Sequence, residues 1–261
     1  MELNDITPLI LTWNEAPNIG RCLDHLQWAH QALVVDSFST DETLGIISRY
    51  PSVRVVQRPF DTFAGQCNFG VNETGIQTEW VLSLDADYEV SDAFVQQLEN
   101  LTASSEIVAY QTPFVYRVWG HPLRSGVYPP RAVLFRRRAC DYVDDGHAHR
   151  LHIREGRVET LAGPIFHDDR KSLSRWLSSQ ASYMEIEAGK LRSTPVGQLS
   201  FADRLRRTMV LGPPVILLYC LLLRGGILDG WPGWYYALQR MTAEAILSLK
   251  LLELKLAPIS K

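Results

Sequence analysis

The 261-residue chain has few cysteines and no arrangement that would let them act together. Cys22, Cys67, Cys140 and Cys220 stand far apart and form no CxxC pair. That spacing argues against a zinc site and a disulfide scaffold and fits reduced, mostly buried thiols in a cytosolic setting. The opening stretch, MELNDITPLI, lacks a basic segment followed by a long apolar run, so no secretory signal is expected. There is no internal repeat and no low-complexity tract. The net charge of −3 supplies no electrostatic footprint for nucleic acid.

What is present is an ordinary globular composition, and the length suits one large α/β domain with an appendage or two small domains. Charge is unevenly placed: residues 200–261 hold eight Lys and Arg against four Asp and Glu, so a basic, apolar tail follows an acidic body. Such a tail suits an anionic membrane surface.

The first hundred residues alternate between two periods. Strands are expected at 7–13, 32–36, 53–57 and 79–85, and helices at 18–26, 40–50, 64–74 and 91–101, the last capped by Ser91. This order implies a parallel sheet covered on both faces, with ligands outside the carboxyl ends of its strands. Residues 106–170 turn β-rich, with a hairpin expected around Glu155-Gly156, and 172–191 read as a helix.

Three polar segments fall at expected strand ends. In LSLDADYEV (82–90), Asp85 and Asp87 follow a buried strand. Hard carboxylate oxygens at i and i+2 suit Mg2+ or Mn2+ carrying a substrate phosphate, although the pair also reads as loop acids ahead of the next helix. In VVDSFSTDET (34–43), Ser39, Thr40, Asp41 and Glu42 have a sufficient reading as helix-start residues, whereas Asp36 caps nothing obvious and its carboxylate could accept a nucleobase N–H. In LTWNEAPNI (11–19), Asn14 reads as the cap of a helix with Pro17 in its first turn, and Glu15 is less easily explained that way.

In this order the segments TWNEAPNI, VVDSFSTDET and SLDADYEV closely resemble the family 2 glycosyltransferases. The resemblance covers about residues 5–100 and implies a GT-A fold: an α/β, Rossmann-like nucleotide-sugar-binding sheet. It implies that Thr12, Asn14, Glu15 and Asp36 cradle base and ribose, that Asp85 contacts ribose or donor sugar, and that Asp87 ligates the metal bridging the diphosphate. His167, in GPIFHDDRK, would complete the metal shell as a histidine does in some GT-A enzymes, or is a satisfied buried histidine. The stretch CDYVDDGHAHRLHI (140–153) departs from the acidic motif usual near this point. Asp145 is the favoured general base, with Asp144 and His147 behind it, against the alternative of a solvated acidic turn. Arg124, Arg131 and Arg170 are candidate phosphate contacts.

The domain reading is a catalytic domain over 1–193, with a nucleotide-sugar half to about 105 and an acceptor half from about 106, then an apolar, basic helical segment over 194–261. MVLGPPVILLYCLLL (209–223) has 15 residues, where a spanning helix needs about 20. An interfacial helix, a packing helix or a homo-oligomeric contact would each bury it. Basic flanks and GWPGWYY (230–236) suit anchoring at headgroup level. The tail also resembles those of bacterial glycosyltransferases that act on lipid-linked glycans. The expectation is therefore an inverting, Mn2+- or Mg2+-dependent hexosyltransferase, peripheral or monotopic on the cytoplasmic face of the cytoplasmic membrane. Its partners would be a nucleotide diphosphate sugar and a lipid-linked or lipopolysaccharide acceptor. The alternatives are a catalytically inactive membrane-bound nucleotide-sugar-binding protein or scaffold, and a nucleotidyltransferase, which would show a Gly-rich phosphate loop absent here.

Overall fold

Alternating side chains along four strands decide the layering of the N-terminal half. The computed structural model describes residues 1–102, 104–145 and 148–256. Strands β1 (Ile6–Thr12), β2 (Ala32–Asp36), β3 (Val53–Gln57) and β4 (Trp80–Asp85) run parallel in the order β4–β1–β2–β3. Successive residues of a strand point to opposite faces. Ile6, Ile10, Val34, Trp80, Leu82 and Leu84 therefore join one core with α1 (Ile19–Asp24), α2 (Thr43–Ile47) and, after the short strand β5 (Tyr88–Val90), α4 (Asp92–Glu99). Leu9, Leu33, Val35 and Val81 face the other way, onto α3 (Phe63–Asn72). Both faces are covered along β1, β2 and β4, which is why these strands read as near-continuous apolar runs, while β3 is the half-exposed edge. Ser91 caps α4 as expected, its Oγ accepting from the Phe94 N–H at 3.1 Å.

The middle of the chain completes this sheet and builds two smaller sets of strands. The elements are β6 (Ile107–Thr112), β7 (Phe114–Val118), β8 (His121–Pro122), β9 (Arg131–Arg136), β10 (Cys140–Asp145), β11 (Ala148–Ile153), β12 (Arg157–Thr160) and β13 (Ile165–His167). The full order of the main sheet is β12–β6–β9–β4–β1–β2–β3, with β9 antiparallel to both neighbours. The hairpin expected around Glu155-Gly156 does not form. Gly156 makes a left-handed turn (φ 109°), but β12 beyond it pairs in parallel with β6, and β11 before it pairs with β10. The true hairpin is β10–β11, fixed to α3 by a reciprocal pair: Asn68 Nδ2 donates to the Tyr142 carbonyl and accepts through Oδ1 from the Tyr142 N–H, both at 2.9 Å. β13 lies between β5 and β7.

The chain divides into two compact units, Met1–Gly120 with Tyr128–Arg170, and His121–Val127 with the chain from Lys171 onward. The second unit contains α5 (Leu173–Ser193), α6 (Phe201–Arg206), α7 (Gly212–Leu218) running into a π turn (Tyr219–Leu223), a 3-10 turn (Gly226–Asp229) and α8 (Trp231–Leu256). Helix α5, grouped with the acceptor half by sequence, instead buries Met184, Ala188 and Leu191 against Leu247 and Leu251 of α8. Arg206 of α6 ties the two together, donating to Glu187 at 2.9 Å and to Glu244 at 3.1 Å. Segment 121–127 is held by Asp229, whose Oδ2 accepts from the N–H groups of Arg124 and Ser125, each at 3.0 Å. No described helix is long and apolar enough to cross a membrane.

Candidate active site

The register of the parallel strands levels their carboxyl ends. Thr12 pairs with Asp36, Asp36 with Gln57, and Leu11 with Asp85, so the three polar segments singled out by sequence emerge along one edge. β1 marks the switch point: β2 and β3 add to the sheet on one side of it and β4 on the other, which is where a ligand crevice opens in open α/β sheets.

Two of those segments interlock. Asp36 is fully buried. Its carboxylate accepts from Thr12 Oγ1 at 3.0 Å, the Ser39 N–H at 2.9 Å, Ser39 Oγ, and Gln57 Nε2 at 3.0 Å. From its sequence context Asp36 has no capping task. In the structure it closes the turn after β2 and uses both oxygens inside the protein. Asn14 does not cap α1, whose N-cap position is Asn18 with Pro17 outside the helix. Asn14 instead adopts a left-handed backbone (φ 56°), which asparagine tolerates better than most residues, and its Oδ1 accepts from the N–H groups of Thr40 at 2.7 Å and Asp41 at 3.2 Å. The Asn14 N–H donates to Ser39 Oγ, and the Glu15 N–H to buried Thr43 Oγ1, each at 2.7 Å. The β1–α1 and β2–α2 loops are thus one hydrogen-bonded piece.

The third segment meets β13. Asp87 Oδ2 lies 3.2 Å from His167 Nε2. The backbone fixes this approach, because His167 pairs with Tyr88 on one side and Tyr116 on the other, and the Asp168 N–H donates to the Asp87 carbonyl at 3.1 Å. Three tyrosine rings surround the imidazole, Tyr116 at 4.3 Å, Tyr88 at 5.2 Å and Tyr128 at 5.9 Å between ring centres. Burial among them would depress the imidazole pKa, yet the Asp87 carboxylate outweighs it and holds His167 above the usual range. The Nδ1 of His167 is buried with no hydrogen-bond partner. Arg131, at the start of β9, donates to the hydroxyls of Tyr88 and Tyr128 at 3.2 Å each. Burial works against its charge, and the neighbouring Tyr88 and Asp85 keep it firmly protonated.

Beneath this lies a second ionic group. Glu89 and Asp168 are both buried. Glu89 accepts from Arg21 and, at 2.9 Å, from Arg117, whose guanidinium lies over the Phe166 ring. Asp168 Oδ2 accepts from Arg170 Nη2 at 2.8 Å and from the Gly120 N–H at 3.0 Å. Arg170, the candidate phosphate contact, is thus paired with Asp168 while part of its guanidinium stays accessible. Arg124 belongs to the second unit. Asp144 is exposed on the β10–β11 hairpin, while His147 and the side chain of Asp145 lie outside the described residues. The sequence reading missed Arg21, Arg117, Glu89, Asp168 and the tyrosines around His167. Tyr88 and Glu89, directly after Asp87 in an apolar stretch, were the only local signal of them.

The donor set fits a divalent cation. A carboxylate oxygen and an imidazole nitrogen already face each other at the end of β4, and both are ligand types for Mn2+. Among the described residues no group of three or more His, Cys, Asp and Glu forms a complete protein cage. Two protein ligands with substrate oxygens and water making up the rest is the usual pattern for an ion that travels with a diphosphate.

The sequence profile described as Glycosyl transferase family 2 matches residues 9–155, more than half of the chain. An uncharacterized glycosyltransferase of Rickettsia bellii is 36% identical over 110 residues, 41% of this chain and 36% of that protein. The chain thus spans little more than a third of that relative's length. The lipopolysaccharide core biosynthesis glycosyltransferase LpsC of Rhizobium meliloti is 27% identical over 205 residues, 71% of this chain and 73% of that protein. Among solved structures, glucosyl-3-phosphoglycerate synthase of Mycobacterium tuberculosis, in complex with Mn2+, uridine diphosphate and phosphoglyceric acid, aligns at 16% identity and a TM-score of 0.47, over 73% of this chain and 79% of that one. The matched span runs from β1 through the β10–β11 hairpin and covers more than half of the sequence, and this chain belongs to the family 2 glycosyltransferases.

Proposed function

We propose that the protein is an inverting, metal-dependent hexosyltransferase that moves a sugar from a nucleotide diphosphate sugar to a lipid-linked or lipopolysaccharide acceptor at the cytoplasmic face of the cytoplasmic membrane. The observation that carries this reading is the Asp87–His167 pair at the carboxyl end of β4, with Arg131 held by the Tyr88 and Tyr128 hydroxyls. Asp87 and His167 would hold Mn2+ or Mg2+, which when bound neutralises charge on the departing diphosphate. Arg131 adds a permanent cation next to Asp85, the candidate ribose or donor-sugar contact. The Thr12–Glu15 loop offers backbone groups for base and ribose, and the buried Asp36 carboxylate acts behind it by holding the loop in shape.

Inversion requires the acceptor oxygen to attack the anomeric carbon opposite the diphosphate. The new C–O bond forms as the bond to the diphosphate breaks, and a base takes the hydroxyl proton. We assign the base to the β10–β11 hairpin, with Asp145 first and Asp144 and His147 next. The acceptor class follows the name of the Rhizobium relative, of which the chain covers 73%.

The reading is tested by calorimetric titration with UDP, GDP and dTDP, each with Mn2+ and with EDTA. Metal-dependent binding of one nucleotide supports it and identifies the donor class. Absence of binding to all three overturns the metal-dependent mechanism. Asp145→Asn should keep donor binding and lose transfer, whereas normal turnover would move the base elsewhere.

A further inference from the structure

The second unit exposes large apolar side chains in a periodic arrangement. Along α7 and the π turn, Leu211, Val215, Leu218 and Leu222 are exposed at intervals of four, three and four residues, which is one helical face. Gly212, Cys220 and Leu221 on the other side are buried. The same pattern recurs at the start of α8, where Trp231, Trp234 and Leu238 are exposed at intervals of three and four while Pro232, Gly233, Tyr236 and Ala237 are buried. Between the two stripes the connecting turn presents Leu223 at 79% and Leu228 at 74% exposure, values that leave almost the whole side chain in water. A soluble surface seldom carries so many contiguous large apolar groups without a covering partner.

The turn is also rigid. The carbonyl of Gly226 lies against Gly233 so closely that any added Cβ would stand 2.0 Å from it, and Asp229 fastens the turn to the Arg124 and Ser125 amides. The exposed leucines are therefore presented by packed backbone. From Thr208 to Ala243 the charged residues are Arg224, Asp229 and Arg240 alone, so the segment carries a single carboxylate, and that one already accepts two backbone N–H bonds. Beside Leu228 and Trp231, a groove of about 430 Å3 is lined by His121 and Arg124, with the His121 ring edge-on to Trp231 at 5.2 Å.

We propose that this face, formed by α7, the turn at 223–229 and the start of α8, docks on an anionic lipid bilayer. The leucines enter the acyl boundary, Trp231 and Trp234 sit at headgroup level, and Arg124, Arg224 and His121 meet lipid phosphates. The argument is charge complementarity joined to chemistry. Exposed aliphatic side chains, indole rings and cations occur together on this surface, the combination that a membrane interface takes up. A second copy of the chain would bring the same cations against one another. The inference rests on the membrane location proposed above, and it is tested separately from the transferase chemistry, since vesicle binding needs neither nucleotide nor acceptor.

The test is co-sedimentation of the full chain with vesicles of phosphatidylcholine alone and of phosphatidylcholine with phosphatidylglycerol, following tryptophan emission. Binding to the anionic vesicles with a blue shift is expected, weaker on the neutral ones and at high salt. The Leu223→Asp/Leu228→Asp variant should lose binding by on the order of tenfold or more with unchanged thermal unfolding. Arg124→Gln should weaken binding to anionic vesicles and leave binding to neutral vesicles unaltered. A wild-type chain that ignores both vesicle types overturns the proposal. So does a dimer in sedimentation velocity that the double leucine variant dissociates, because the covering partner would then be a second copy.

Discussion

Asp87 and His167 are 80 residues apart in the chain, and their side chains meet at 3.2 Å because β13 is inserted between β5 and β7. The pair is the point at which the metal reading is most exposed. Asp87→Asn keeps the size and a hydrogen-bond acceptor while removing the charge, so the fold should persist. Mn2+-dependent nucleotide affinity should fall on the order of 100-fold. Calorimetry with and without EDTA reads this directly, and unchanged affinity would move the metal to other residues.

A pH dependence follows from the same contact. The Asp87 carboxylate holds the His167 imidazole above its ordinary range, and a protonated imidazole cannot ligate. Mn2+ affinity should therefore fall as pH drops through that raised value and be full above it. His167→Ala should bind more weakly at high pH and show a shallower dependence. Titrations between pH 5 and 9 on both proteins separate this from effects of bulk charge.

Asp36 should matter for stability first. Asp36→Ala removes the shared acceptor of Thr12, Ser39 and Gln57 inside the protein. Leaving those donors unmatched should cost about 3 kcal/mol in urea unfolding. Asp36→Asn, which keeps one acceptor oxygen, should cost less. Equal losses would mean that the negative charge, and not the hydrogen-bond count, sets the stability.

Glu89 neutralises two guanidinium groups from different elements, Arg21 on α1 and Arg117 on β7. Glu89→Ala should destabilise by about 3–5 kcal/mol, because it leaves cations partly buried without their counter-charge. A Glu89→Ala/Arg117→Ala pair should lose less than the sum of the two single changes. A double-mutant cycle by chemical denaturation gives the coupling.

The pattern that places Asp85 and Asp87 at a strand end was legible because it is local. Period-two and period-3.6 spacing marks β1 to β4 and their helices, and Ser91 caps the helix it precedes. What the sequence hid depends on partners far along the chain. Glu155-Gly156 looked like a hairpin because the turn chemistry is right, yet Arg157–Thr160 finds a better partner in β6, already part of a buried sheet. Tyr116 and Tyr128 reach His167 only through tertiary packing, and no spacing in the chain announces them.

The interlocked loops after β1 and β2 have a thermodynamic consequence. With Asn14 held to Thr40 and Asp41, and Glu15 to Thr43, the backbone of the proposed nucleotide site is ordered without a ligand. The entropy of arranging that surface is then lost once, during folding, and little is left to subtract from donor affinity. Changes at Ser39 or Thr43, neither assigned a contact with the donor, should therefore appear as weaker donor binding through a floppier free state. Tightening the loops should raise affinity with no new contact to the ligand.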